Sequence, residues 1–247
     1  MKKRLLILGM IFTMAVSSAG CGSSSSDNAG KTDQTKQTAD VQDSQKDTSS
    51  SDKSDNKNDT SYKSADEITM DDLMSHDETP AEDFEFNDGT DEIVIEKYVG
   101  NDPIVVIPDE IDGKKVVGFE SAFTLNNNIV AVKIGNNVQE VENSAFSGCK
   151  QLKYVVMGDS VKTIGGRMFA QTNLQELVLN DGLQKIGQDD SNNVLAPPSS
   201  NCGMDLKIPE SVTELHVSEF NLIGKSGSYA EQYANEHADA GVTFTAE

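Results

Sequence analysis

The sequence predicts a β-rich solenoid of short stacked repeats, carried on a disordered N-terminal tether. Three observations support this fold class. The triplet Ser121-Ala122-Phe123 recurs at Ser144-Ala145-Phe146, and Met168-Phe169 closes a similar phrase after an equal interval. Large apolar side chains are almost absent from residues 22–80 and become frequent from Phe84 onward. The chain also begins with a basic and then apolar stretch, which is typical of an export signal.

Residues 1–20 are predicted to be a lipoprotein signal peptide. Basic residues at positions 2–4 precede an apolar run, residues 5–16, that is shorter than the roughly 20 residues needed to span a bilayer. Residues 18–21, Ser-Ala-Gly-Cys, resemble the lipobox of bacterial lipoproteins, in which the cysteine is diacylated, although leucine is usual where Ser18 stands. We therefore expect Cys21 to be lipidated and to anchor the protein stably at a membrane. An ordinary secretory signal with an incidental cysteine is the alternative.

Residues 21–83 are predicted to form a disordered linker rich in Ser, Asp, Lys, Thr and Gln. Such a composition buries too little surface to offset a backbone entropy of about 1–2 kcal/mol per residue. A flexible coil of this length reaches about 40 Å from a membrane. Residues 71–92 carry many carboxylates and no Lys or Arg. A solvated spacer is favoured there over weak calcium binding, because dedicated calcium loops need ligands at fixed offsets.

Residues 84–247 are predicted to be the repeat domain. A shared skeleton, L-x-x-V-x-I, a turn, V-x-x-I and a small residue before Phe, aligns residues 104–123, 129–146, 152–169, 174–187 and 206–220. Periods of about 20–29 residues with aliphatic side chains at fixed offsets indicate a leucine-rich-repeat solenoid, which we expect to be right-handed. In one layer the inward side chains should be Leu152, Val155, Met157, Val161, Ile164 and Phe169. One layer cannot offset its own ordering entropy, so several layers must stack.

Several phrases of this domain closely resemble the repeats of BspA-type leucine-rich-repeat surface proteins. They include IPDEIDGKKVVGFESAF, NSAFSGCKQLKYV and IPESVTEL, and the resemblance covers roughly residues 93–247. It weakens at residues 187–205, where the small-Phe phrase is replaced by an irregular loop. The resemblance implies a C-terminal helix and strand that close the solenoid, and Ser228 with Glu231 fits a capping box for that helix. It also implies display on a bacterial surface, which with the Ser-rich tether favours a Gram-positive envelope.

The composition and motifs argue against several other functions. A formal net charge of −21 disfavours nucleic-acid binding, which needs clustered Lys and Arg. His76, His216 and His237 are scattered and form no metal motif, and no G-x-S-x-G nucleophile motif occurs. Asp189-Asp190 is interpreted as a solvated turn rather than a carboxylate pair. We therefore predict no cofactor, no metal and no enzymatic activity, with an exported enzyme kept as a third hypothesis.

Cys149 and Cys202 are predicted to be free thiols. They lie two layers apart in the alignment, and strands stack about 4.8 Å apart, so the layers that hold them are separated by about 10 Å. A disulfide needs Cα atoms within about 7 Å. The irregular loop around Cys202 leaves a disulfide as the alternative.

The outward side of the first strand in each layer is the candidate ligand surface. Two rows are predicted to face outward, one being Ile104, Ala131, Tyr154, Glu176 and Asp205, and the other Val106, Lys133, Val156, Val178 and Lys207. Contiguous exposed apolar area usually marks contact, so the candidate surface is Ile104, Val106, Tyr154, Val156 and Val178, centred on Tyr154. Plain β-propensity of Val, Ile and Tyr is the alternative explanation.

Together these features predict a monomeric, lipid-anchored binding or adhesion module at the extracellular face of the membrane. Its partners are expected to be protein or cell-surface ligands, as the resemblance implies. A structural envelope component that organises wall or lipoprotein partners is the second hypothesis.

Overall fold

The repeats form a β-solenoid, as the sequence predicts, and the solenoid has about six turns. The computed structural model describes residues 62–89, 91–119, 121–188, 194–198 and 203–247. The predicted signal peptide, Cys21 and residues 22–61 of the predicted linker lie outside the described residues, and so do Asp189-Asp190 and Cys202.

The N-terminal part of the described chain contains one helix and a mixed sheet. Helix α1, Met70–Ser75, is followed by a 3₁₀ turn, Ala81–Asp83. The sheet has the order β1-β2-β5-β4 and consists of β1 (Phe84–Asp88), β2 (Glu92–Tyr98), β4 (Glu110–Ile111) and β5 (Lys114–Phe119). Residues 62–83 thus contain regular structure, which corrects the predicted linker boundary at residue 83.

Two parallel ladders form opposite sides of the solenoid. The first sheet stacks β3 (Ile104–Val106), β6 (Ala131–Lys133), β8 (Tyr154–Val156) and β10 (Glu176–Val178). The second sheet stacks β7 (Glu140–Val141), β9 (Thr163–Ile164), β11 (Lys185–Ile186) and β13 (Glu214–Leu215). Three layers, formed by β6 and β7, β8 and β9, and β10 and β11, therefore each contribute one short strand to each sheet, which is the arrangement that the repeated skeleton predicts.

A third sheet closes the C-terminal end. It consists of β12 (Asp205–Lys207), β14 (Asn221–Gly224) and β15 (Thr243–Ala246), with helix α2, Tyr229–Glu236, between the last two strands. The predicted helix-strand cap is present, but the predicted capping box is wrong. The Ser228 side chain makes no capping hydrogen bond, and the Glu231 carboxylate instead accepts from the Gly227 N–H at 2.6 Å.

The core lies between the two ladders. All six side chains predicted to point inward from one layer are buried: Leu152, Val155, Met157, Val161, Ile164 and Phe169. The repeated phenylalanines form a continuous stack, in which Phe146 lies 5.4 Å from Phe123 and 6.5 Å from Phe169 between ring centroids. This stack explains why the small-Phe phrase recurs in successive layers.

The residue two positions before each of these phenylalanines takes the same backbone conformation. Ser121, Ser144 and Arg167 have φ values of 52°, 60° and 52°, in the left-handed region that side-chain-bearing residues seldom adopt. In the middle layer the Ser144 N–H donates to the Gly166 carbonyl of the next layer at 3.0 Å. The turn therefore costs local strain but aligns the phenylalanine for stacking.

Candidate ligand-binding face

The strand registers place the predicted ligand-surface residues in two neighbouring rows. Ile104, Ala131, Tyr154 and Glu176 pair in order across β3, β6, β8 and β10, and Val106, Lys133, Val156 and Val178 do the same. Asp205 and Lys207 do not continue these rows, because β12 pairs with β14 and not with β10. The predicted fifth member of each row is therefore wrong.

The chain itself covers most of this face. Ile104, Val106 and Val156 are only 7%, 6% and 8% exposed, so the prediction that they face solvent is wrong. They belong to a small apolar cluster that also contains Ile68 and Leu73 from the N-terminal segment. We call residues 62–79 the N-terminal strap.

Polar contacts hold the strap on the sheet as well. The Lys153 ammonium lies under the strap and donates to the Ala65 carbonyl at 2.9 Å and to the Asp66 carboxylate at 3.0 Å. At the other end, the Thr79 N–H donates to the Val106 carbonyl at 2.9 Å. The Val106 N–H donates to the Thr79 hydroxyl oxygen, also at 2.9 Å. The strap is thus fixed at both ends to the first sheet.

Helix α1 of the strap is short and depends on its N-terminal cap. Thr69 and Asp72 form a reciprocal capping box. Hydrogen bonds from Lys63 and Thr69 to the Asp72 carboxylate lower the pKa of that group to about 2. Sequence reasoning missed the strap because its few apolar residues stand in a polar context, and the Thr69-x-x-Asp72 spacing was the one local signal.

The strap leaves the β10 end of the first sheet uncovered. Val178 is 40% exposed, and Tyr154 is half-buried at the margin of the strap cluster. A groove of about 470 Å³ lies beside Val178, between β10 and β12. Its lining combines apolar and acidic side chains and includes Glu176, Leu177, Val178, Leu179, Asp205 and Lys207. The predicted surface is therefore reduced to its C-terminal part and extended into a groove.

One wall of the groove is β12, which begins at the end of the segment that interrupts the repeats in the sequence, residues 187–205. The interval from Leu177 to its equivalent Leu206 is longer than the interval from Val155 to Leu177. The strands on either side of this longer interval, β10 and β12, do not pair with each other. The missing small-Phe phrase was thus the sequence signal for the groove, although the groove itself was not predicted.

In the described chain, each of the three histidines contacts a neighbouring side chain, and the described cysteine is buried. His76 lies 3.3 Å from Asp102, His216 lies 3.1 Å from Glu214, and His237 stacks on Tyr233 at 4.0 Å between ring centroids. Cys149 is unpaired and fully buried, and burial raises the pKa of its thiol to about 12. Across the described ranges, no three His, Cys, Asp or Glu side chains come together as a metal site.

Burial also raises the pKa of two tyrosine hydroxyls, Tyr98 and Tyr233. Each of them is used in packing: Tyr98 donates to the Asp102 carbonyl at 2.8 Å, and Tyr233 donates to the Val217 carbonyl at 3.1 Å. The two helices of the described chain are too short and too polar to cross a bilayer.

Comparisons with known proteins agree with this architecture. The family description "BspA type Leucine rich repeat region" matches residues 119–194 in six copies. A leucine-rich-repeat protein of T. pallidum is similar in structure, with 28% identity and a TM-score of 0.50 over 60% of this chain and 71% of that one. A leucine-rich-repeat protein from Bacteroides ovatus is 17% identical, with a TM-score of 0.39 over 58% of this chain and 42% of that one. No curated protein matches the sequence.

A leucine-rich-repeat region of this type suggests a protein-interaction module. The matched residues 119–194 include the strands β6 to β11 of both ladders. Residues 119–194 are therefore similar to BspA-type leucine-rich repeats, and the chain has the fold of a leucine-rich-repeat solenoid like that of the T. pallidum protein.

Proposed function

We propose that this chain is a lipid-anchored extracellular module that binds protein or cell-surface ligands through the uncovered end of its first sheet. The observation that carries the proposal is the groove beside Val178, since an apolar concavity of a few hundred Å³ with polar groups at its rim is the usual form of a binding site. The stacked layers hold this surface on a rigid scaffold.

Membrane anchoring is part of the proposal and rests on the N-terminal sequence. The basic residues, the short apolar run and the Ser-Ala-Gly-Cys segment ending at Cys21 support export followed by lipidation. Metabolic labelling with a fatty-acid analogue tests this step. The native chain should take up label and a Cys21→Ala chain should not; equal labelling of the two chains would contradict anchoring at Cys21.

Ligand capture tests the binding role. The full chain should retain one or more proteins from a panel of host matrix proteins or from the envelope of the producing cell. Capture from the envelope alone would favour the structural-envelope hypothesis over adhesion. Capture from neither source would contradict the binding role.

A matched pair of variants tests the location of the binding surface. Val178→Lys places a positive charge on the uncovered face, and we expect it to reduce capture by about fivefold or more. Gln139→Lys introduces the same charge at an exposed position beside the second sheet and should leave capture unchanged. Equal loss in the two variants would show that the groove face is not the contact surface.

A further inference from the structure

The groove lies at a break in the regular hydrogen bonding of the first sheet. In the regular layers the residue after each strand donates its backbone N–H to the next layer. Ile134 donates to the Val156 carbonyl at 2.8 Å and Met157 donates to the Val178 carbonyl at 2.9 Å. The corresponding donor after β10 is Leu179, and within the described residues it has no backbone acceptor. The edge of β10 that faces the groove therefore offers a donor that no described backbone carbonyl accepts.

The opposite wall of the groove is also a strand edge. β12 pairs with β14 on one side and, among the described strands, has no partner on the side that faces the groove. Unpaired strand edges of this kind are templates for pairing with another segment of extended chain.

The apolar side chains at the break are covered less well than their equivalents in other layers. Leu177 is 7% exposed, whereas Val132 and Val155 at the same position are 0% exposed. Leu179 is half-buried, whereas the equivalent Met157 is buried. The core is thus partly open to the groove.

The two layers remain joined on the other side of the solenoid. β11 and β13 pair in register, and the N–H groups of Thr213 and Glu214 donate to the Gln184 carbonyl at 3.0 and 3.2 Å. The separation is therefore confined to the first sheet. Because the second sheet fixes the spacing of the layers, the groove is a built feature of the fold and not a gap between independent parts.

The rim of the groove is acidic. Glu176, Asp181 and Asp205 are exposed along it. Lys207 is the one basic residue among the described lining side chains, and Glu247 already binds the Lys207 ammonium at 2.8 Å. A ligand with Lys or Arg side chains complements this rim, and opposite charges favour the encounter of the two partners.

We propose that the groove binds an extended peptide strand of alternating apolar and basic residues, which pairs with the edges of β10 and β12. The inference rests on the proposed binding function and specifies its ligand class. In such strand addition, backbone hydrogen bonds supply affinity, and alternate side chains supply specificity. Side chains that point inward would cover Leu177 and Leu179, and a basic side chain that points outward would lie beside Glu176 and Asp205.

A synthetic peptide of this pattern, GRVTVKG with blocked ends and a fluorescent label, is the probe. Fluorescence anisotropy with the full chain should show saturable binding that weakens with added salt. A peptide with Glu in place of Arg and Lys should not bind. Methylation of the backbone nitrogens of the two valines keeps the side chains and should weaken binding at least about tenfold, because it removes backbone donors. No binding of the parent peptide, or equal binding of the methylated one, would overturn strand addition.

Variants and amide exchange locate the site. Glu176→Lys should weaken peptide binding about tenfold or more through like-charge repulsion. Glu140→Lys makes the same change at an exposed position of β7 and should have no effect. Peptide binding should also slow hydrogen exchange at residues 177–179. Equal effects of the two variants, or slowed exchange elsewhere only, would place the peptide outside the groove and overturn the inference.

Two further results separate this inference from the proposed function. Capture of surface proteins that is unaffected by Glu176→Lys would leave the binding function standing and refute the groove as its site. Self-association of the full chain in sedimentation experiments, abolished by Glu176→Lys, would show that a second copy occupies the edge and would refute a basic peptide as the occupant.

Discussion

Phe146 shows how a single residue links neighbouring layers. Its ring stacks on Phe123 at an interplanar angle of 30° and on Phe169 at 7°, and the side chain is fully buried. Aromatic pairs in such geometry contribute about 0.5–1.5 kcal/mol beyond the area that they bury. One side chain therefore stabilises three successive layers.

We expect Phe146→Ala to lower the free energy of unfolding of the full chain by about 3–5 kcal/mol, because it leaves a cavity in a stack that cannot easily collapse. Urea unfolding followed by circular dichroism measures this loss. Val99→Ala removes two methyl groups at an exposed position and should cost less than about 1 kcal/mol. Similar losses in the two variants would contradict the role of the phenylalanine stack.

Cys149 shows the effect of burial on reactivity. Its thiol donates to the Phe123 carbonyl at 2.8 Å and has a pKa raised to about 12 by loss of solvent. The thiolate that reacts with alkylating reagents is therefore scarce at pH 8. Peptide mass spectrometry after iodoacetamide treatment should find Cys149 unmodified in the native protein and modified after denaturation. Modification of Cys149 at the same rate in the native and the denatured protein would mean that this layer is open to solvent.

At the scale of elements, the strap has its own apolar cluster, separate from the solenoid core. Leu73 of α1 and Ile68 pack on Ile104, Val106 and Val156, while the phenylalanine stack belongs to the larger cluster. The strap should therefore detach without unfolding the layers beneath it. Such local opening is expected where few apolar contacts hold an element.

Leu73→Ala should release the strap, because deletion of a buried leucine costs about 2–5 kcal/mol at the site where it packs. Hydrogen exchange should then rise in residues 68–76, while residues 131–133 and 154–156 of the sheet keep their protection. Binding of a dye specific for apolar surfaces should also increase. Met74→Ala, at an exposed position of the same helix, is the control and should change neither measurement. Loss of protection throughout the sheet would show that strap and solenoid fold as one unit.

At the scale of the molecule, the sequence predicted those features that repeat. Inward positions such as Val155 and Ile164 recur at fixed offsets, so their burial follows from the period alone. The strap and the groove occur once each, and both depend on tertiary contacts that no period reveals. Val156 illustrates the difference: its outward direction was correct, but the strap, which is distant in the sequence, covers it.

The candidate site was accordingly predicted in part. The strand rows from β3 to β10 were correct, and Val178 lies on the uncovered face. The step from β10 to β12 was not predicted, because strand pairing was assumed to continue past the irregular loop. A longer interval between strands, together with the loss of a core phenylalanine, is therefore the sequence feature that accompanies the opening in this sheet.

The same opening leaves the C-terminal cap without strand pairing to the described part of the first sheet. The strand pairing between the C-terminal part and the preceding layers consists of β13 with β11 and of the isolated Leu195–Val217 bridge. Within the described residues, the sheet of β12, β14 and β15 forms no strand pair with the first sheet. In stacked repeats, stability is approximately a sum over neighbouring interfaces, so the interface with fewer hydrogen bonds should open first.

Hydrogen exchange measured at increasing urea concentration tests this expectation. Amides of β12 and β14 should lose protection at lower urea than amides of β6 and β8, because the cap can open while the phenylalanine stack stays intact. Coincident loss of protection in all four strands would show that the cap and the layers unfold as a single cooperative unit. Since β12 also forms one wall of the groove, a bound peptide strand that bridges β10 and β12 should raise the urea concentration at which the cap opens and leave that of β6 unchanged.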